Sequence, residues 1–242
     1  MKPAERSELL SIIVPTLNEV ENIEPLVRDL VASAPAPFEI VFVDDMSTDG
    51  TRERIASRQS AMPIRLITRD SPTLGLSGAV IAGAREARGE LLVVMDADLS
   101  HPPDRIPDLL RPILEGSADM VVGSRYVAGG STPGWPIWRK VMSRAAAGLA
   151  YPLTGVHDSM GGFFAVRRTR LLELTPRATG FKIAFEAIVH GGKELRVVEI
   201  PIAFSDRTAG ASKMNFRIAL IFLFRWLAAV LRLASGKNRA GN

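Results

Sequence analysis

Cysteine is missing from all 242 residues. Its absence excludes disulfides and thiolate metal sites and fits a reducing compartment. Histidine is scarce: His101, His157 and His190 have no ligand-like spacing, and Pro102 and Pro103 make His101 a turn starter, so none receives a role. No internal repeat or low-complexity linker divides the chain, which predicts one domain. The opening MKPAERSELLSIIVP lacks a long apolar core between a basic start and a cleavage site, so no signal peptide is expected. With 47% hydrophobic and 23% charged residues the chain is not a disordered one. Acidic residues are absent from Lys213 onward, where six of the 30 Lys/Arg lie; the preceding residues carry 24 basic against 26 acidic groups, a net of −2. Nucleic-acid binders spread a basic face over the fold. Here the excess sits on one apolar tail, which predicts an anionic membrane surface as partner and no nucleic acid.

Strand-like runs occur at LSIIVP, FEIVFVD, IRLIT, ELLVVMD and ADMVVGS. Helical patterns separate them. Asn22 is the expected N-cap of the first, with Pro25 in its first turn and Ile23, Leu26, Val27, Leu30 and Val31 on one face. Others run near Thr51 to Gln59, Leu76 to Ala87 and Pro103 to Glu115. The second half holds a helix from about Trp138 to Tyr151, a strand GGFFAVR, a helix around Ile183 to His190 and a strand LRVVEIPIAF. Alternating elements with unbroken apolar strands predict an α/β fold, a mostly parallel Rossmann-like sheet flanked by helices. In such sheets ligands bind beyond the carboxyl ends of the strands, where PTLNE, VDDMSTDGT and MDADLS fall.

Asp96 and Asp98 close the run LLVVM. At i and i+2 of extended chain they would point the same way. Two hard oxygen ligands suit Mg²⁺ or Mn²⁺, which fill their other positions with water and phosphate oxygens. Each Asp also has an ordinary role open to it, one capping the next helix and one solvated, and an isolated DxD does not decide between them.

The motifs taken together do. IIVPTLNE, VFVDDMSTDGT, GLSGAVIAGAREARGELLVVMDADLSHPP, MVVGSRYVAGG and GGFFAVRR resemble, in order and spacing, the family-two glycosyltransferases of the GT-A fold, and among them the polyprenol-phosphate mannose synthases. The resemblance runs from about Leu10 to Met214. It implies that Pro15, Leu17, Glu19 and Asp44 line the nucleoside pocket, although relatives often carry an aromatic residue where Leu17 stands. It places Asp96, Ala97 and Asp98 at the donor, with Asp96, Asp98 and Ser100 around Mg²⁺ or Mn²⁺; Ser100 stands where relatives often carry Gln. Arg125, Arg139 and Ser143 would meet the acceptor phosphate, and Arg207 and Lys213 would lie on a loop over the diphosphate. Asp96, Asp98, Arg125 and Arg139 form the expected catalytic group. Arg139 could equally be a solvated helix residue, and RTAGASK an ordinary surface loop.

The implied reaction moves mannose from GDP-mannose to a polyprenyl phosphate with inversion. A phosphate monoester, with its second pKa near ~6, is already ionised and needs no general base. A sugar-hydroxyl acceptor, the alternative along with a UDP-glucose donor, would need one. Glu186 is the candidate for that base and Asp158 a weaker one. The segment IALIFLFRWLAAVLRLA, residues 218–234, is too short and too charged to span a bilayer. Arg217, Arg225 and Arg232 share an arc of roughly eighty degrees, which predicts an interfacial amphipathic helix. A core-packing helix or a contact with a membrane protein or a second copy is the other reading. The expected division is a catalytic domain over 1–212 and a basic apolar segment over 213–242, on the cytoplasmic face of a membrane.

Overall fold

The computed structural model describes residues 8–206, apart from 176, 177 and 179–181. Arg207, Lys213 and the apolar tail lie outside the described residues. The elements run β1 Leu10–Thr16, α1 Val20–Ser33, β2 Phe38–Asp44, α2 Thr51–Ala56, β3 Ile64–Thr68, α3 Gly75–Glu86, β4 Leu91–Val94, α4 Ile106–Leu114, β5 Met120–Ser124, α5 Ile137–Thr154, β6 Phe164–Arg167, α6 Arg168–Leu174, α7 Ile183–Gly191 and β7 Val197–Pro201.

The strands form one sheet in the order β3-β2-β1-β4-β6-β5-β7, parallel except for β6. The unbroken apolar runs explain burial on both faces, since alternate side chains of β1 serve opposite layers. Leu10, Ile12 and Val14 pack with α1, α2 and α4, while Ile13 packs with α3 and the second-half helices. Gly83 lets α3 close on the sheet, because a Cβ there would lie 2.6 Å from Ile13 Cγ2. This is the expected α/β architecture of three layers.

Two local expectations change. Helix α1 begins at Val20, and Asn22 is buried inside it, its amide donating to Glu19 Oε2 at 2.7 Å. The caps come from the β2–α2 loop and the start of α2 instead: Asp49 accepts the Val20 amide at 3.1 Å and Thr51 the Glu19 amide at 2.9 Å. A distant loop has taken over the local capping role of Asn22. The last strand is also shorter than LRVVEIPIAF, spanning Val197–Pro201. Beyond it the chain pairs with the loop after β5, where Ser131 donates to Ile202 O at 2.9 Å and Phe204 to Ser131 O at 3.0 Å.

Parallel pairing brings the ends of β1, β2, β3, β4, β5 and β7 to one edge. Antiparallel β6 starts from that edge, so Gly162 and Phe163 stand beside the end of β4.

Candidate active site

At this edge the β1–α1 and β2–α2 loops are zipped together. Asn18, at φ 56°, donates its amide to Ser47 Oγ at 2.9 Å and accepts the Thr48 amide at 2.9 Å. Pro15 is buried in β1, Leu17 is 36% exposed, and Glu19 is half-buried against Asn22. Asp44 is fully buried, and its carboxylate accepts from Thr16 Oγ1, Ser47 N, Ser47 Oγ and Arg52 Nε. Burial pushes its pKa up, but the bonds from Ser47 and Arg52 outweigh this and hold it below the usual carboxylate range. Four internal donors thus engage the Asp44 carboxylate at the edge of this loop pair. Its neighbour Asp45 pairs with Arg69 at 2.7 Å, and burial raises its pKa.

The two aspartates of the opening motif differ. Strand β4 ends at Val94, and residues 97–99 bend, with Leu99 at φ 63°. The extended geometry assumed for the i, i+2 pair therefore does not hold. Asp96 keeps its side chain 32% exposed, whereas Asp98 is buried, its Oδ1 accepting from Ser100 N at 3.1 Å and Ser100 Oγ at 2.5 Å. Ala97 is buried between them. Ser100, 1% exposed, donates its hydroxyl to Asp98 and so orients that carboxylate.

Two residues that sequence reasoning left unassigned shape Asp96. A Cβ at Gly162 would lie 3.1 Å from both of its carboxylate oxygens. His101, itself buried, accepts the Asp96 amide on Nδ1 at 3.1 Å. Burial pushes the imidazole pKa down, and the charges of Asp96 and Asp98 oppose this only in part.

Cations line the other side. Arg125 donates its amide, Nε and Nη2 to Asp158 at 2.9, 2.8 and 2.7 Å. Asp158 is 1% exposed, and its own amide donates to Glu199 at 3.0 Å. A buried carboxylate locked to a guanidinium is not an accessible base, so Asp158 leaves the list of candidates for that role. Arg139 lies 3.8 Å over the Trp135 ring and pairs with Asp206 at 2.7 Å. Ser143 bonds to the Tyr126 hydroxyl. One turn apart on α5, Arg139 and Ser143 share its inner face. Glu186 is 8% exposed in the first turn of α7.

The donor set is compatible with a divalent cation. Asp96 is partly exposed, Asp98 is hard and fixed, and among the described residues no group of three or more His, Cys, Asp or Glu forms a closed cage. Such a pair suits an ion that takes its remaining ligands from water and phosphate.

The sequence pattern of Glycosyl transferase family 2 matches residues 11–174. The dolichol-phosphate mannosyltransferase of Saccharomyces cerevisiae is 37% identical, covering 88% of this chain and 84% of the yeast protein. The polyprenol monophosphomannose synthase of Mycolicibacterium smegmatis is 36% identical, covering 93% and 88%. The dolichol-phosphate mannosyltransferase of Pyrococcus furiosus is 42% identical over 93% of this chain, which spans only 63% of that protein. Among solved structures, glucosyl-3-phosphoglycerate synthase of Mycobacterium tuberculosis, with Mn²⁺, UDP and glucosyl-3-phosphoglycerate, shares the fold at TM-score 0.68 and 20% identity, over 93% of this chain and 79% of that one. With a family pattern running from β1 into α6, and relatives aligned over most of their length, the chain belongs to glycosyltransferase family 2.

Proposed function

We propose that this glycosyltransferase moves a mannosyl unit from GDP-mannose to a polyprenyl phosphate, inverting the anomeric centre. The names of the yeast and mycobacterial relatives support the sugar and the lipid class. The observation that carries the acceptor assignment is the cationic layer facing the Asp96 loop: Arg125 and Arg139 on the rings of Trp135 and Phe204. Planar, permanently charged forks suit a phosphate dianion.

Asp96 and Asp98 would hold Mg²⁺ or Mn²⁺, which supplies positive charge for a departing nucleoside diphosphate. Ser100 fixes Asp98, and Gly162 leaves space at Asp96. Arg139 exchanges its Asp206 partner for the acceptor phosphate. Ser143 and Tyr126 flank that exchange on the inner face of α5. Leu17, Glu19 and the edge near Asp44 form the floor of the nucleoside site, with Asp44 shaping the loop through Ser47 and Arg52. Arg207 and Lys213, outside the described residues, remain assigned to the diphosphate.

The outer face of α5 supports a membrane-surface location. Ile137, Trp138, Val141, Met142, Ala145 and Leu149 fall within an arc of roughly 140 degrees, and all are exposed, from 79% for Ile137 to 45% for Leu149 among the large ones. An apolar stripe on the helix that carries Arg139 would rest at the headgroup level and present the cations to lipid phosphates. The basic segment 213–242 would add charge attraction at the cytoplasmic face.

Steady-state kinetics on two variants test the acceptor class. Arg139→Ala should raise KM for a short polyprenyl phosphate by about tenfold or more, as loss of a charge-assisted contact does. Glu186→Gln should leave kcat within about twofold, because an ionised acceptor needs no base. Loss of activity in Glu186→Gln with little effect of Arg139→Ala would favour a hydroxyl acceptor instead.

A further inference from the structure

His101 does more than fill space below the site. Strand β4 makes its last rung where the Met95 amide donates to Ile13 O at 3.1 Å. The next amide, that of Asp96, donates to the His101 ring five residues ahead. Because a backbone N–H is the donor, Nδ1 is the unprotonated nitrogen of this imidazole. The turn at Leu99 brings the ring back beneath Asp96, and the Ser205 amide holds that turn through Ser100 O at 3.2 Å.

The ring is held in place on two sides. Phe163 stacks on it with centroids 5.2 Å apart and planes 16° from parallel, and Phe204 meets it edge-on at 5.2 Å. Phe204 then meets Trp135 at 5.5 Å and lies under the Arg125 guanidinium at 5.3 Å. Trp135 carries Arg139. An unbroken aromatic column thus joins the backbone of Asp96 to both cationic forks.

We infer that His101 is a positioning residue: it fixes the Asp96 backbone, and with it the carboxylate, in register with Arg125 and Arg139 through Phe204 and Trp135. The inference rests on the donor-site reading of Asp96. It differs from simple packing in what it asks of the side chain. Packing asks for a flat apolar ring, whereas positioning asks for an acceptor two bonds beyond Cβ, which Asn supplies and Phe lacks.

The test compares His101→Phe and His101→Asn in the full chain, with binding of Mn²⁺ plus GDP read by calorimetry beside kcat and Tm. Partners one shell behind a metal ligand typically change affinity or activity by about 10–100-fold when lost. His101→Phe should therefore weaken Mn²⁺–GDP binding by about tenfold or more and lower kcat in step, while His101→Asn stays within about threefold of wild type. Both should fold, with Tm lowered in His101→Asn by the lost ring stack and in His101→Phe by the lost amide acceptor. His101→Phe binding like wild type, His101→Asn binding as poorly as His101→Phe, or collapse of both folds would each overturn the inference. Failure of the wild-type chain itself to bind Mn²⁺–GDP would instead remove the donor-site reading, and the inference with it.

Discussion

Gly162 gives the Asp96 carboxylate its room, and the size of a methyl group makes this measurable. With both oxygens 3.1 Å from the site of a Cβ, Gly162→Ala forces the carboxylate to shift by a few tenths of an ångström. Misplacing a reacting group by about 1 Å can cost about 10²-fold in rate. Gly162→Ala should therefore lower kcat by roughly tenfold, with Tm almost unchanged because one partly exposed carboxylate can move; an unaltered kcat would show that Asp96 needs no such space. Asp96 could be found from sequence because it ends an apolar run. Gly162 and His101 could not: one acts from antiparallel β6, across the sheet, and the other through a turn set by a left-handed Leu99. The motif places Asp44 at the nucleoside pocket but does not reveal that Thr16, Ser47 and Arg52 all donate to its carboxylate. Motif position locates a carboxylate, whereas its free lone pairs depend on folded neighbours.

At the scale of elements, the order of strands and helices follows from apolar runs and punctuation, and each expected strand is present. Boundaries moved where a distant loop supplied a cap, as at α1. Helix α5 was expected as a helix, but its orientation was hidden. Its apolar residues would normally mark the buried face, and here Ala147 and Ala150 are the buried ones while the larger side chains face out. Small inner residues let the helix sit close, with Arg139 and Ser143 beside them. Replacing Ile137 and Val141 together by Glu should reduce binding to anionic liposomes by about tenfold or more, since each large apolar side chain contributes roughly 1.5–3 kcal/mol on burial. Tm should hardly change, because both are exposed. A large fall in Tm would mean that protein, rather than lipid, covers this face.

For the whole molecule, the three-layer fold brings six strand ends to a single edge, and this is what lets two chemistries meet. Carboxylates sit on the β4 side, arginines on the β5 side, and β6 separates them by one strand width. Seven strands in one sheet also explain why no linker interrupts the sequence. Family membership fixes glycosyl transfer; donor, acceptor and metal are proposals and are the part to be measured. The direct measurement supplies radiolabelled GDP-mannose or UDP-glucose, a short polyprenyl phosphate and Mn²⁺, then follows label into an organic extract. The account predicts organic-phase label from GDP-mannose alone, abolished by a chelator and by Asp96→Asn. Undiminished transfer after chelation, or organic label arising only from UDP-glucose, would contradict it.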